Sequence, residues 1–180
     1  MSLDRLWSGW RIDYISGVHD NEEAGAGEQE GPGHLSGDRG CVFCSILASG
    51  KSDSETWILW RGRHTFAILN AFPYTSGHLM VMPYRHLAEV ESLSPDEATE
   101  LWRGVTDAVR ALKAAYSPEG INVGANLGRA AGAGVPGHLH MHVLPRWNGD
   151  TNFMTSIAEA RVMPESLGSS WERLSAAWPT

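Results

Sequence analysis

The clearest pattern in the chain is a strict alternation, Gly137-His138-Leu139-His140-Met141-His142-Val143-Leu144. Successive side chains of an extended strand point to opposite faces. Leu139, Met141 and Val143 therefore share one face, and the three histidines share the other. Positions two apart would spread around a helix, so residues 137–144 are read as a strand. Apolar runs at 57–60, 65–69, 78–83 and 120–126 predict further strands, the first two joined by a hairpin-like turn at Arg61-Gly62-Arg63. Ser94-Pro95-Asp96-Glu97 is a capping box: serine at the N-cap, proline at the first helical position, glutamate at N3. Ala98, Leu101, Trp102, Val105, Val109, Leu112 and Tyr116 follow at helical spacing, the apolar stripe of one long helix. Weaker helical patterns cover 156–162 and 165–178. The sum predicts an α+β fold, an antiparallel sheet of about five strands with the long helix across one face.

The polar face of the alternating strand carries the candidate chemistry. Its imidazoles lie roughly 6.5–7 Å apart along the strand, so one bound phosphate chain can meet several of them. Such a row suits structurally satisfied histidines, a metal site, or phosphoryl chemistry with an imidazole nucleophile. The preceding segment favours the last. Asn126-Leu127-Gly128-Arg129-Ala130-Ala131-Gly132-Ala133-Gly134-Val135-Pro136-Gly137 is rich in glycine. Glycine permits positive φ and close approach of backbone to ligand, and successive N–H groups in such a turn form an anion-binding concavity. The loop reads as a phosphate cradle beside a nucleophile.

Composition narrows the class. The 180 residues, 42% hydrophobic and 19% charged, suit one soluble domain spanning 1–180. No apolar run is long enough to span a membrane, and the first residues lack the apolar core of a signal peptide. A cytoplasmic location is expected. The net charge of −7 argues against a nucleic-acid polymer as partner. Residues 17–40 hold seven glycines, six acids and one arginine, so this insert carries −5 of the −7 and is expected to be a flexible loop. The Trp-rich stretch 6–15 before it suits docking on the domain or on a second subunit, or a plain amphipathic arm. The two cysteines form Cys41-Val42-Phe43-Cys44, a spacing that fits a redox pair or half of a zinc site.

His138 to Leu144 resembles the His-φ-His-φ-His-φ-φ pattern (φ apolar) of the histidine triad, or HIT, superfamily of nucleotide hydrolases and transferases. Pro145-Arg146-Trp147-Asn148-Gly149-Asp150-Thr151-Asn152-Phe153-Met154 is similar to the diadenosine polyphosphate hydrolase and phosphorylase branch. The likeness runs from about Leu6 to Met154, omitting the insert. It implies a HIT-like fold, a nucleotide substrate and a homodimer. It implies structural zinc held by Cys41, Cys44, His86 and His138, the set that the uridylyltransferases and several bacterial members use. It also places Asn70 against ribose hydroxyls, with Phe66, Ile68 and Leu69 as candidate base lining. His78 belongs to the family's Gly-His-Leu pattern and is expected to be a hydrogen-bonded structural residue.

The chemistry so implied cleaves a phosphoanhydride of a dinucleoside polyphosphate such as diadenosine tetraphosphate. Neutral His140 attacks the α-phosphorus and is nucleotidylated, and a second nucleophile releases the nucleotide. His142 donates to the phosphate oxygens. Asn126 and the N–H groups of Gly134 and Val135 stabilise its charge, and Trp147 offers a surface for stacking. Related phosphorylases often carry Gly-Ser where this chain has Ala133-Gly134, which leans the expectation towards water over orthophosphate as acceptor. Phosphorolysis, a nucleoside phosphoramidate substrate, and a nucleotide sensor with little turnover are the alternatives.

Overall fold

The computed structural model describes residues 40–150 and 165–179. Residues 17–39 of the insert, the 6–15 stretch and the helical pattern at 156–162 lie outside them. Two compact units divide the chain. Cys41–Asn148 with Met163–Thr180 form one, described below; Met1–Gly40 with Gly149–Val162 form the other, of which three residues are described.

Two short helices, α1 (Val42–Ala48) and α2 (Asp53–Thr56), precede the sheet. Strands β1 (Ile58–Arg61), β2 (Thr65–Leu69) and β3 (Leu79–Pro83) lead to the long helix α3 (Pro95–Tyr116). Strands β4 (Gly120–Gly124) and β5 (Met141–Arg146) and helix α4 (Leu167–Ala177) complete the unit. The five strands lie in the order β1-β2-β3-β5-β4, and every neighbouring pair is antiparallel.

Strands β2 and β3 are buried at every position. Both faces are covered, so these strands read as continuous apolar runs. Ala67, Leu69, Leu79 and Val81 join Leu139 and Val143 under α3 and α4. Phe66, Ile68, Met80 and Met82 face the other way, with Cys41, Phe43 and Ile58. Burying each large apolar side chain contributes about 1.5–3 kcal/mol.

Polar contacts fix the helices on this frame. Ser94 Oγ accepts from the Glu97 N–H, and the Glu97 carboxylate accepts from the Ser94 N–H and from Arg85 Nε and Nη2. One turn further on, the Glu100 carboxylate accepts from the N–H groups of Arg63, His64 and Thr65, closing the β1–β2 turn. At Gly104 the helix lies so close to β3 that a Cβ would stand 2.8 Å from Val81 Cγ1. Helix α4 is pinned by Trp171 Nε1, which donates to Ile58 O at 2.8 Å, and by the Trp60–Trp178 stack.

The predicted class, strand set and long helix match this architecture, with differences at boundaries. The strand of the alternating motif begins at Met141, three residues after His138. Its approach is extended but pairs elsewhere: the His138 N–H bonds Val135 O, and the Leu139 N–H bonds Leu87 O at 2.6 Å. Strand β4 stops at Gly124, before the loop. Helix α1, capped by Cys41, had no distinct signal in the apolar pattern.

Candidate active site and metal centre

His138, His140 and His142 share a face, as the alternation requires, but that face is not open. His138 is fully buried and His140 is 6% exposed. Phe43 of α1 covers both, its ring centroid 5.4 Å from His138 and 5.5 Å from His140. Burial disfavours the charged imidazolium, and it holds the His140 pKa below the ordinary value despite an opposing bond to the His138 carbonyl.

That bond also fixes the tautomer. His140 Nδ1 lies 2.7 Å from His138 O. A carbonyl cannot donate, so Nδ1 carries the proton and Nε2 presents its lone pair. Among the described residues Nε2 meets no hydrogen-bond partner, and it is not one of the sealed, unpartnered atoms.

A second relay governs His142, whose ring stands edge-on to His140 at 4.9 Å. The Tyr74 N–H donates to His78 Nδ1 at 3.1 Å. His78 Nε2 therefore carries its proton and donates to His142 Nδ1, 3.0 Å away. In neutral His142 the remaining proton sits on Nε2, ready to be given. Tyr74 flanks both rings, tilted over His78 at 4.6 Å and stacked with His142 at 6.1 Å.

Asn70 belongs to the same relay. Its Oδ1 accepts from the Phe72 N–H at 2.9 Å, and its amide nitrogen faces His78 Nδ1 at 3.4 Å. In the glycine loop, Gly128 and Gly132 have positive φ, whereas Gly134 and Gly137 do not. Gly137 lies beside His86, where a Cβ would make an ordinary contact of 3.4 Å with Nε2. Asn126 Nδ2 donates across the loop to Gly132 O at 3.3 Å. The N–H groups of Gly134 and Val135 have no partner among the described residues. Trp147 lies beyond the far end of β5, its ring edge-on to Tyr116 at the end of α3. The structure does not bring it together with the histidines.

Cys41, Cys44, His86 and His138 converge, their ligand atoms all within 4.8 Å of one another. His138 Nδ1 lies 3.4 Å from Cys41 Sγ and 3.7 Å from Cys44 Sγ; His86 Nδ1 lies 3.5 Å from Cys44 Sγ. Zinc bonds of about 2.3 Å to sulfur and 2.0–2.1 Å to nitrogen give a tetrahedron with S···N edges of about 3.5 Å. The measured separations match those edges. His138 Nε2 donates to Pro83 O at 2.9 Å, so its Nδ1 offers a lone pair to the thiol side. The four residues can hold a metal, with no further protein ligand needed for a closed tetrahedral site.

His138 joins the two sites: its ring faces the thiols while its carbonyl orients His140. Sequence reasoning missed Phe43 and Tyr74. The only signal for Phe43 was its place inside the Cys-x-x-Cys motif; the bond from Tyr74 to His78 runs from a main-chain N–H, which no residue type reveals.

The sequence matches the HIT domain over residues 51–149. A Mycobacterium tuberculosis protein named AP-4-A phosphorylase is 39% identical over 176 residues, 98% of this chain and 85% of the relative. The fold is similar to that of a Zn-bound histidine triad family protein from Mycobacterium smegmatis. That pair has a TM-score of 0.62 and 28% identity, over 76% of this chain and 91% of the other. A hypothetical histidine triad nucleotide-binding protein from Sulfolobus tokodaii gives a TM-score of 0.62 at 27% identity, with the same coverage. With more than half of its length inside the family's domain, this chain belongs to the HIT domain family.

Proposed function

We propose that the protein cleaves diadenosine tetraphosphate or a close dinucleoside polyphosphate by phosphorolysis through a nucleotidylated His140. The observation that carries the reading is the state of that ring: neutral, tied at Nδ1 to the His138 carbonyl and unpartnered at Nε2. Membership of a nucleotide hydrolase and transferase family supports an enzyme, and the M. tuberculosis relative's name supports orthophosphate over water as acceptor.

His140 Nε2 forms a bond to the α-phosphorus, and the bond from phosphorus to the bridging oxygen breaks. His142 Nε2 gives its proton to the departing oxygen, and ATP leaves. Orthophosphate then attacks the AMP–histidine adduct, the P–N bond breaks, and ADP is released. The N–H groups of Gly134 and Val135, held by the loop that Asn126 braces, stabilise charge on the phosphoryl oxygens. Asn70 orients His78 as well as lying at the position given to the ribose. Trp147 receives no role in this reading.

Zinc held by Cys41, Cys44, His86 and His138 would supply a structural anchor for His138 and α1, and no step passes through it. The protein is further taken as a homodimer, joined through the outer edge of β4, which pairs only with β5 among the described residues. Light scattering at micromolar concentration tests this, and a monomer rejects it.

Incubation with labelled diadenosine tetraphosphate, with and without orthophosphate, tests the reaction. ADP plus ATP, formed only with phosphate, is the expected result. ATP plus AMP in its absence establishes hydrolysis instead. Tight nucleotide binding without turnover makes the protein a sensor.

A further inference from the structure

The metal centre contains the only two cysteines of the chain, three positions apart at the start of α1. Neither forms a disulfide. They differ in access: Cys41 is 7% exposed, whereas Cys44 is half-buried. Their Sγ atoms lie within 4.8 Å of each other, and a disulfide closes at about 2.05 Å. Both sulfurs touch the same imidazole nitrogen, Nδ1 of His138. A reagent that consumes the thiols therefore removes two ligands at once.

We infer that Cys44 is a peroxide-reactive thiol with Cys41 as its resolving partner, and that their oxidation to a disulfide expels the metal and unseats His140 through His138. The inference rests on zinc occupying the four-residue site. The oxidant is a hydroperoxide such as hydrogen peroxide. The Cys44 sulfur attacks one peroxide oxygen, the O–O bond breaks, hydroxide leaves and a sulfenic acid forms. The Cys41 sulfur attacks that sulfur, the S–O bond breaks, the S–S bond forms and a second hydroxide leaves. Two electrons pass from the sulfur pair to the peroxide, and the two hydroxides are protonated to water. Two imidazoles alone remain, too few to hold the ion in a closed site.

The consequence for the neighbouring site follows from His138. Its carbonyl holds His140 Nδ1 at 2.7 Å, and Phe43, which packs on His140, sits between the two cysteines. Disulfide closure moves both supports of one ring. A displacement on the order of 1 Å at a reacting group costs roughly 100-fold in rate.

Zinc-loaded full-length protein is treated with stoichiometric hydrogen peroxide. Metal release is read with a colorimetric chelator, thiols by titration, and covalent state by intact mass and peptide mapping. The expected result is one zinc released per chain, loss of both thiols, a mass lower by two hydrogens and a Cys41–Cys44 peptide. Cleavage of diadenosine tetraphosphate falls about 100-fold and returns with a thiol reductant plus zinc. In a Cys41→Ser chain the same treatment adds oxygen at Cys44 and forms no intramolecular disulfide. Retention of zinc through peroxide treatment overturns the inference, as does zinc loss with oxygenated, unlinked cysteines. Zinc loss with undiminished turnover overturns the coupling to His140. A protein that binds no zinc defeats this inference and the metal reading together, while one that holds zinc through oxidation defeats this inference alone.

Discussion

The two faces of the sheet bury side chains to the same depth by different means. Under α3 and α4 the filling is aliphatic: Leu79, Val81, Leu112, Val143 and their neighbours. Under α1 the same depth holds His138, His140 and Cys41 beside Phe66 and Met82. Apolar burial is additive and tolerant, because any side chain of similar volume recovers most of the transfer energy. Polar burial is neither, since every donor and acceptor left without a partner costs about 1–3 kcal/mol. One face therefore sets how stable the molecule is, and the other sets what it can do.

Substitutions on the two faces should separate these quantities. His140→Asn is expected to lower turnover by about 10⁴-fold or more while nucleotide affinity, measured by calorimetry, is retained. Loss of binding together with turnover would instead make the ring a structural element. Leu112→Ala, on the aliphatic face, should cost about 2–5 kcal/mol in urea unfolding, with kcat per folded molecule unchanged. A fall in kcat there would break the division. His78→Ala removes the donor that fixes His142, and kcat should drop about 100-fold with KM little altered. Steady-state kinetics at saturating substrate would settle it, and an unchanged kcat rejects the relay.

The smallest expected effect tests the scaffold alone. Hydrogen bonds from Arg85 first, and then those from Ser94, hold the Glu97 carboxyl at about 2 against the opposing effect of burial. Its folded pKa thus lies below the unfolded value near 4.3. The stabilisation it provides is full above about pH 5 and is lost as pH falls towards the folded pKa. Glu97→Gln should cost about 1 kcal/mol at neutral pH, and the gap from the unmodified protein should close in acid. A gap independent of pH would assign the cost to packing.

How much of this was legible follows the same division. The aliphatic face announced itself through periodicity: the stripe from Ala98 to Tyr116 and its capping box located α3 from its first residue to its last. The strands buried on both sides were found as runs, and the five-stranded antiparallel sheet followed. The histidine row was legible because alternation survives even where hydrogen bonding to a neighbouring strand does not, at His138 and His140. Depth was not legible, since nothing in a row of histidines tells whether a helix lies over it. Nor were the roles of Tyr74 and Asn70, because the contacts that orient His78 run through a main-chain N–H and a side-chain amide whose partner only the tertiary fold selects. Within the glycine loop a run of glycines does not tell which of them take positive φ: Gly128 and Gly132 do, Gly134 and Gly137 do not.

The carboxylate of Glu100 has a bearing on the order of events during folding. The amides it receives at the β1–β2 corner lie 37, 36 and 35 positions earlier in the chain. Within the corner only the Gly62 N–H closes locally, on Thr65 O; the other three amides gain their partner when α3 arrives, so the first hairpin and the helix should consolidate as one event. Slower refolding of a Glu100→Ala chain, with unfolding little changed, is the kinetic mark of that dependence.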